Sequence, residues 1–326
     1  MEFTASRISY GNRAGGHHLY RCTEVHYRRP YSRCSKGITF MDNINIQYIN
    51  GMAVQIVADR IWAIDEYGVA QCYLIEGTEK AALIDTGYGQ GNLRSVVETL
   101  THKPVIILNT HGHFDHIGGN DEFSDHDIFL SHKDSCIVNL NENTEEENKR
   151  AFDKNFREPG FYGQNYYDLK RTYKAFPYHD LKEGDRFDLG DRCLEVYETP
   201  GHTAGCVVFL DEADRILFSG DTVVSTPILI FGGPGTNSTS VKNFMYSTEK
   251  LVEMRGKIDL IFPGHYLRPI GTNYIGWLHE LAARVCNGTT PCEPVDLSHM
   301  TKENTVISRY KGASIIYTEE YIDRPL

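Results

Sequence analysis

No apolar run in this 326-residue sequence approaches the ~18 residues that a membrane span requires, and Met1-Glu2-Phe3-Thr4 opens no signal peptide, so the expectation is a soluble, cytoplasmic protein with no membrane partner. Positive charge is also scarce. Thirty-three Lys and Arg face 44 Asp and Glu, a formal net charge of -11, and Arg28-Arg29 and Lys149-Arg150 are isolated pairs rather than a basic patch. A polyanion would have to be collected against that charge, which excludes nucleic acid as the expected partner. The eight cysteines contain no C-x-x-C pair, and the chain is far longer than a small secreted scaffold, so a disulfide framework is not expected. Cys72, Cys193 and Cys206 fall in strand-like runs and read as core thiols, while Cys286 and Cys292 around Asn287-Gly288 read as a free pair. No nucleophile-elbow sequence marks a catalytic Ser or Cys. Phe231-Gly232-Gly233-Pro234-Gly235 lacks the Gly-Lys-Ser/Thr ending of a phosphate cradle and reads as a plain loop. With 24 % charged and 40 % hydrophobic residues, the chain is neither disordered nor fibrous.

What is present is concentrated chemistry. Thr110-His111-Gly112-His113-Phe114-Asp115-His116 packs four metal-capable side chains behind Val105-Ile106-Ile107-Leu108-Asn109, a buried-strand pattern. Imidazole and carboxylate ligate zinc, iron and manganese. Three more units repeat the logic: Thr199-Pro200-Gly201-His202-Thr203 after Cys193–Tyr197, Phe218-Ser219-Gly220-Asp221-Thr222 after Arg215–Leu217, and Phe262-Pro263-Gly264-His265 after Ile258–Ile261. Each is an apolar run, a tight Gly turn and one potential ligand. A ligand at a strand end is held by the scaffold, as a metal site demands. A lone His or Asp of this kind is ordinarily a turn or core residue, but four such units in one chain are hard to read that way.

Residues 1–45 read as an irregular arm. From Ile46 to Asp85 come short strands at Gln55–Val57, Ile61–Ile64, Gln71–Ile75 and Ala81–Ile84, then a helix over about Gly91–Leu100 with Leu93, Val96, Val97 and Leu100 on one face. Strand, helix, strand with ligands at the second strand's carboxyl end is an α/β arrangement. Residues 132–182 interrupt this pattern with a Glu/Asn/Lys-rich helical stretch and the aromatics Phe161, Tyr162, Tyr166 and Tyr167; they read either as a cover over the pocket or as a packed helical insertion. Strands return from Arg186 to Ser219. Ser240 caps a helix to about Glu253, a second runs from about Asn273 to Cys286, and Thr305–Tyr310 with Ala313–Tyr317 forms a C-terminal hairpin suited to edge pairing or dimer contact. A catalytic domain over 46–304 and a hairpin over 305–326 follow from this reading, and a homo-oligomer is left open.

The ordered set His-x-His-x-Asp-His, Gly-His, Gly-Asp-Thr, Pro-Gly-His resembles the metallo-β-lactamase superfamily in its dinuclear hydrolase branch, from Val57 to Tyr266, including Leu83-Ile84-Asp85-Thr86-Gly87. The resemblance implies a four-layer αββα sandwich of two strand-rich halves, here with a helical insertion. It implies two divalent metal ions: one on His111, His113 and His202, a second on Asp115, His116 and His265, with Asp221 bridging. Zinc suits an all His/Asp set, and iron or manganese tolerate the same ligands. Asp85 would orient a ligating imidazole, or else simply cap the turn that follows it.

The expected activity is hydrolysis of a small-molecule carboxylic ester, lactone or thioester by a metal-bridging hydroxide, with Asp115 moving a proton to the leaving group. Alternatives are a phosphodiesterase and an iron-dependent persulfide dioxygenase-like oxidoreductase. Asp221 stands where true β-lactamases of the superfamily carry Cys or Ser, and Val224 where the acyl-homoserine lactonases carry Tyr. For contact with substrate the sequence offers Tyr266 and Arg268, within three residues of His265, against the alternative of a packed Tyr and a surface Arg.

Overall fold

The computed structural model describes residues 46–66, 68, 70–138, 174–233, 235–266, 269–298, 300–324. The expectations for residues 1–45 and for Phe161, Tyr162, Tyr166, Tyr167 and Arg268 lie outside them. The first sheet has eight strands in sequential order: β1 (Ile46–Ile49), β2 (Met52–Ala58), β3 (Ile61–Glu66), β4 (Ala70–Glu76), β5 (Ala81–Ile84), β6 (Val105–Leu108), β7 (Ile128–Leu130) and β8 (His179–Asp180). β1 to β5 form an antiparallel meander, and β5 to β8 run parallel. The change of direction follows from the connections, because a parallel step needs a crossover such as α1 (Leu93–Leu100) between β5 and β6. Asn92 caps α1, its side chain accepting from the Ser95 N–H.

The second sheet comprises β9 (Arg186–Asp188), β10 (Cys193–Glu198), β11 (Val207–Asp211) and β12 (Ile216–Gly220), with β14 (Leu260–Pro263) parallel to β12 on its edge. The two sheets face each other across a core in which Tyr73, Ile75, Ala82, Ile84 and Leu108 meet Leu194, Val196, Phe209, Phe218 and Phe262. Alternation decides which side chains enter it. On β10, Leu194 and Val196 turn inward and leave Cys193 only half-buried, so the expectation of a core thiol holds for Cys72 and Cys206 but not there. On the outer face of the first sheet, Ile64, Leu74, Leu83 and Ile107 pack against Leu93, Val96 and Val97 of α1. On the outer face of the second, Val208, Leu210, Leu217 and Ile261 pack against α2 (Val241–Met254) and α3 (Asn273–Cys286). Helix, sheet, sheet, helix is the four-layer sandwich that the motif order implied.

A third sheet of β13 (Ile228–Ile230), β15 (Cys292–Pro294), β16 (Val306–Tyr310) and β17 (Ala313–Tyr317) completes the described fold. The C-terminal hairpin therefore pairs within its own chain: β17 runs parallel to β13, with Leu229 opposite Ile316. Ile315 and Tyr317 reach the core beside Tyr274 and Leu278. β13 and β15 are three residues each, too short to show an alternation. β8, inside the stretch read as an insertion, is two residues long and carries no apolar signal, yet it extends the first sheet. Among the described residues no helix is long and apolar enough to cross a membrane.

Since Ile315 is fully buried, Ile315→Ala is expected to lower unfolding free energy by about 2–5 kcal/mol, read from the urea midpoint. An unchanged midpoint would mean that the hairpin does not share the core.

Candidate metal centre

Five strands from both sheets end at one edge, and each end carries a site residue: Asp85 after β5, His111 to His116 after β6, His202 after β10, Asp221 after β12 and His265 after β14. Asp85 is the buried anchor of the first half. Its Oδ1 accepts from the Thr110 N–H at 2.7 Å, and its Oδ2 from the Thr110 hydroxyl and from His116 Nδ1, both at 2.8 Å. Asp85 is held at φ 59°, a left-handed conformation that costs a non-glycine residue ~1 kcal/mol or more, which these three bonds offset. The chemistry of the acceptors settles the tautomers. A carboxylate only accepts, so His116 keeps a proton on Nδ1 and turns Nε2 to the site. Thr110 spends its hydroxyl hydrogen on Asp85, so it accepts from His111 Nδ1, 3.1 Å away, and His111 too presents Nε2.

His202 is oriented from the third sheet. Its Nδ1 donates to the carbonyl oxygen of Leu229 on β13 at 2.8 Å, again leaving Nε2 for the site. His113 turns Nδ1 to within 3.0 Å of His111 Nε2. Since His111 offers only a lone pair there, the contact takes either the His113 proton or a cation that both rings face. Asp221 lies between the two halves: Oδ1 is 3.5 Å from His116 Nε2, and Oδ2 is 3.5 Å from His202 Nε2 and 3.3 Å from His265 Nε2. Asp115 Oδ2 is 3.3 Å from His265 Nε2 and 3.8 Å from His116 Nε2. Gly264 allows this closeness, since a Cβ there would sit 2.7 Å from His116 Cε1 and 2.8 Å from Asp221 Oδ1.

The structure thus brings all seven ligand candidates together, with donor atoms within 4.8 Å of one another in the groups His111–His113–His202, Asp115–His116–His265 and His111–His116–Asp221. Their donor atoms fit bound cations. His116 Nε2, His202 Nε2 and Asp221 Oδ1 are buried without a hydrogen-bond partner, a costly arrangement for bare polar atoms. Two ligands at ~2.1 Å on a tetrahedral ion stand about 3.4 Å apart, which is the spacing found across Asp221. The electrostatics agree. Burial opposes a charge on His116, yet Asp115, Asp221 and Asp85 outweigh it and raise the ring to about 9. Burial likewise opposes charge on Asp221, but His265 and His116 hold it well below the usual carboxylate range. His113 goes the other way, down to about 3, through burial and then His202. Ringed by Asp85, Asp115 and Asp221, the pocket calls for positive charge, and a proton on His116 is what it takes when no cation supplies it.

Residues 66–265 match the metallo-beta-lactamase superfamily. The chain belongs to that family. A human (Homo sapiens) relative named acyl-coenzyme A thioesterase MBLAC2 is 28 % identical over 258 residues, covering 68 % of this chain and 89 % of the relative. Two solved structures share the fold. A metallo-beta-lactamase from Pontibacter korlensis has a TM-score of 0.52 at 19 % identity, covering 71 % of this chain and 99 % of its own. A beta-lactamase domain protein from Burkholderia ambifaria has a TM-score of 0.52 at 20 % identity, covering 77 % and 81 %.

Of the residues expected to meet substrate, Tyr266 is 57 % exposed, with its ring centroid 6.5 Å from that of His265. It is not a packed tyrosine. Its φ of 60° also takes the backbone out of the extended conformation on which a shared side for Tyr266 and Arg268 was expected. Motif reading passes over Thr110 and the Leu229 carbonyl, which set the rings of His111 and His202. Thr110 directly precedes His111, a usable signal, whereas the Leu229 carbonyl has none in the sequence.

Asp221→Ala removes the carboxylate that faces both trios. Metal content of the purified chain is expected to fall by at least one ion per chain with far-ultraviolet circular dichroism unchanged. Full metal retention would contradict the place given to Asp221.

Proposed function

We propose that this chain is a dinuclear metal-dependent hydrolase whose substrate is a small acyl thioester, with carboxylic esters and lactones as lesser substrates. The observation that supports it most is the pair of ligand trios meeting at Asp221 with buried, partnerless donor atoms turned inward. One trio, His111, His113 and His202, would hold one ion; Asp115, His116 and His265 would hold the other; Asp221 would serve both. Zinc is the metal that an all His/Asp set favours, with iron or manganese as substitutes. When bound, the pair supplies Lewis acidity and a nucleophile drawn from water at neutral pH.

The protein's own groups do the rest. Asp85, Thr110 and the Leu229 carbonyl hold the rings of His116, His111 and His202 in one tautomer, so these three need no reorganisation as the reaction proceeds. Asp115 is the most exposed of the site carboxylates, its side chain one-quarter accessible, and would accept a proton and deliver it to the leaving group. A thiol with pKa ~8.5 leaves readily as a thiolate, so a thioester asks least of that proton transfer. The thioesterase name of the 27–28 % identical relatives points to the same bond. Tyr266, exposed beside His265, offers a ring against which an apolar acyl portion can rest, and Arg268 a charge for a substrate carboxylate or phosphate. A small-molecule substrate also suits a chain of net charge -11, which disfavours capture of a polyanion.

A panel run on zinc-loaded protein with and without chelator tests this reading. Acyl thioesters, including acyl-coenzyme A and acyl-glutathione, should be cleaved fastest, aryl esters and lactones more slowly, and RNA not at all; chelation should abolish every activity. Bis-aryl phosphodiester cleavage that outpaces the thioesters would replace the reading with a phosphodiesterase. Sulfite formed from a persulfide by iron-loaded protein would replace it with an oxygenase.

A further inference from the structure

One buried carboxylate outside the seven ligand positions stands where the two parts of the His111–His113–His202 trio meet. Asp134 ends the short 3-10 turn His132–Asp134 after β7 and has no exposed surface. Its Oδ2 accepts from the Gly112 N–H at 2.8 Å and from the Thr203 hydroxyl at 2.7 Å. Its Oδ1 accepts from the Gly205 N–H at 2.9 Å and from Asn237 Nδ2 at 2.8 Å. Gly112 lies between His111 and His113, and Thr203 follows His202. A single side chain therefore ties together the two loops that carry this trio. Asn237 adds a third segment: its carbonyl accepts from the Ala204 N–H at 2.8 Å, and the next residue, Ser238, donates its hydroxyl to the His202 carbonyl at 2.8 Å.

Two details show how closely the carboxylate is built in. A Cβ on Gly112 would lie 2.7 Å from Asp134 Cβ, and one on Gly205 would lie 2.6 Å from the Asp134 carboxyl carbon, so both loops approach as only glycine permits. All four partners are donors, two to each oxygen, and only an acceptor-only group satisfies them together. The other trio is held differently, with His116 on Asp85 and His265 at the end of β14.

We propose that Asp134 is a positioning residue for the His111–His113–His202 trio: its four hydrogen bonds fix the spacing between the first-motif loop and the His202 loop, and so set metal affinity at that trio and not at Asp115–His116–His265. This rests on the two-metal reading above. Asp134→Asn keeps the size and shape. Thr203 can reverse its role toward an amide, but a backbone N–H cannot, and Asn237 also donates to the Lys133 carbonyl at 2.8 Å, so either Gly112 or Gly205 is left facing an N–H group.

The test is titration of metal-free protein with Zn²⁺ against a competing chelator. Wild type should show two sites. Asp134→Asn should weaken one of them 10- to 100-fold, the usual cost of losing a partner that orients ligands, and leave the other within twofold. In a His202→Ala background, where the trio is already broken, Asp134→Asn should leave the remaining site within twofold. Equal weakening of both sites, or none, would overturn the proposal. Should circular dichroism show Asp134→Asn unfolded, Thr203→Val carries the test: it removes one donor, with about fivefold weakening expected at one site only, and equal loss at both sites or none overturns the proposal. Wild type that binds no Zn²⁺ defeats the two-metal reading itself; a variant that titrates like a metal-binding wild type defeats only the role of Asp134.

Discussion

The geometry of this site depends on buried acceptors that fix which nitrogen is free in three of its five imidazoles. Asp85 sets His116 directly and His111 through Thr110, while the Leu229 carbonyl sets His202. An imidazole in water exchanges tautomers and rotates; one whose Nδ1–H is bound to a buried carboxylate or carbonyl does neither. The arrangement costs stability locally. Asp85 sits in a left-handed conformation, and His116 Nε2 and His202 Nε2 are buried without partners. Such costs persist only where the surrounding scaffold is strong enough to impose them, and here two sheets clamp the site from either side.

That scaffold extends further than the catalytic edge. β13, which supplies the Leu229 carbonyl, is a short strand whose parallel partner is β17, near the end of the chain. Ile316 of β17 lies opposite Leu229. The C-terminal hairpin is thus coupled through two strands to the orientation of His202. The same core that buries Ile315 and Tyr317 also buries Val223 and Val224, two and three residues after Asp221. The third sheet in this way backs both His202 and the segment that carries Asp221.

Much of this was legible in the sequence, and the division between what was and what was not has a physical basis. Ligands at strand ends leave a local record: an apolar run, a Gly turn, then His or Asp within a few residues. All seven candidate positions could be read from such units, as could α1, α2 and α3 from a cap or an apolar face. Apart from Asp85, on the Leu83–Gly87 motif, and Thr110, next to His111, the orienting contacts leave no such record, because they join residues remote in the chain. Asp134 is 22 residues from Gly112, 69 from Thr203 and 103 from Asn237. β8, β13 and β15 are two or three residues long, too short for an alternation to register, and β1 exposes three of its four residues. At Tyr266 the expectation of extended backbone gave way to a left-handed turn, which nothing in Gly264-His265-Tyr266 announces.

The central claim is that two cations sit side by side between these strand ends. Anomalous diffraction from crystals of zinc-loaded protein, collected on both sides of the zinc absorption edge, tests it most directly. The account predicts two peaks per chain, one among His111, His113 and His202 and one among Asp115, His116 and His265, with Asp221 contacting both. A single peak, or peaks lying away from these residues, would contradict it.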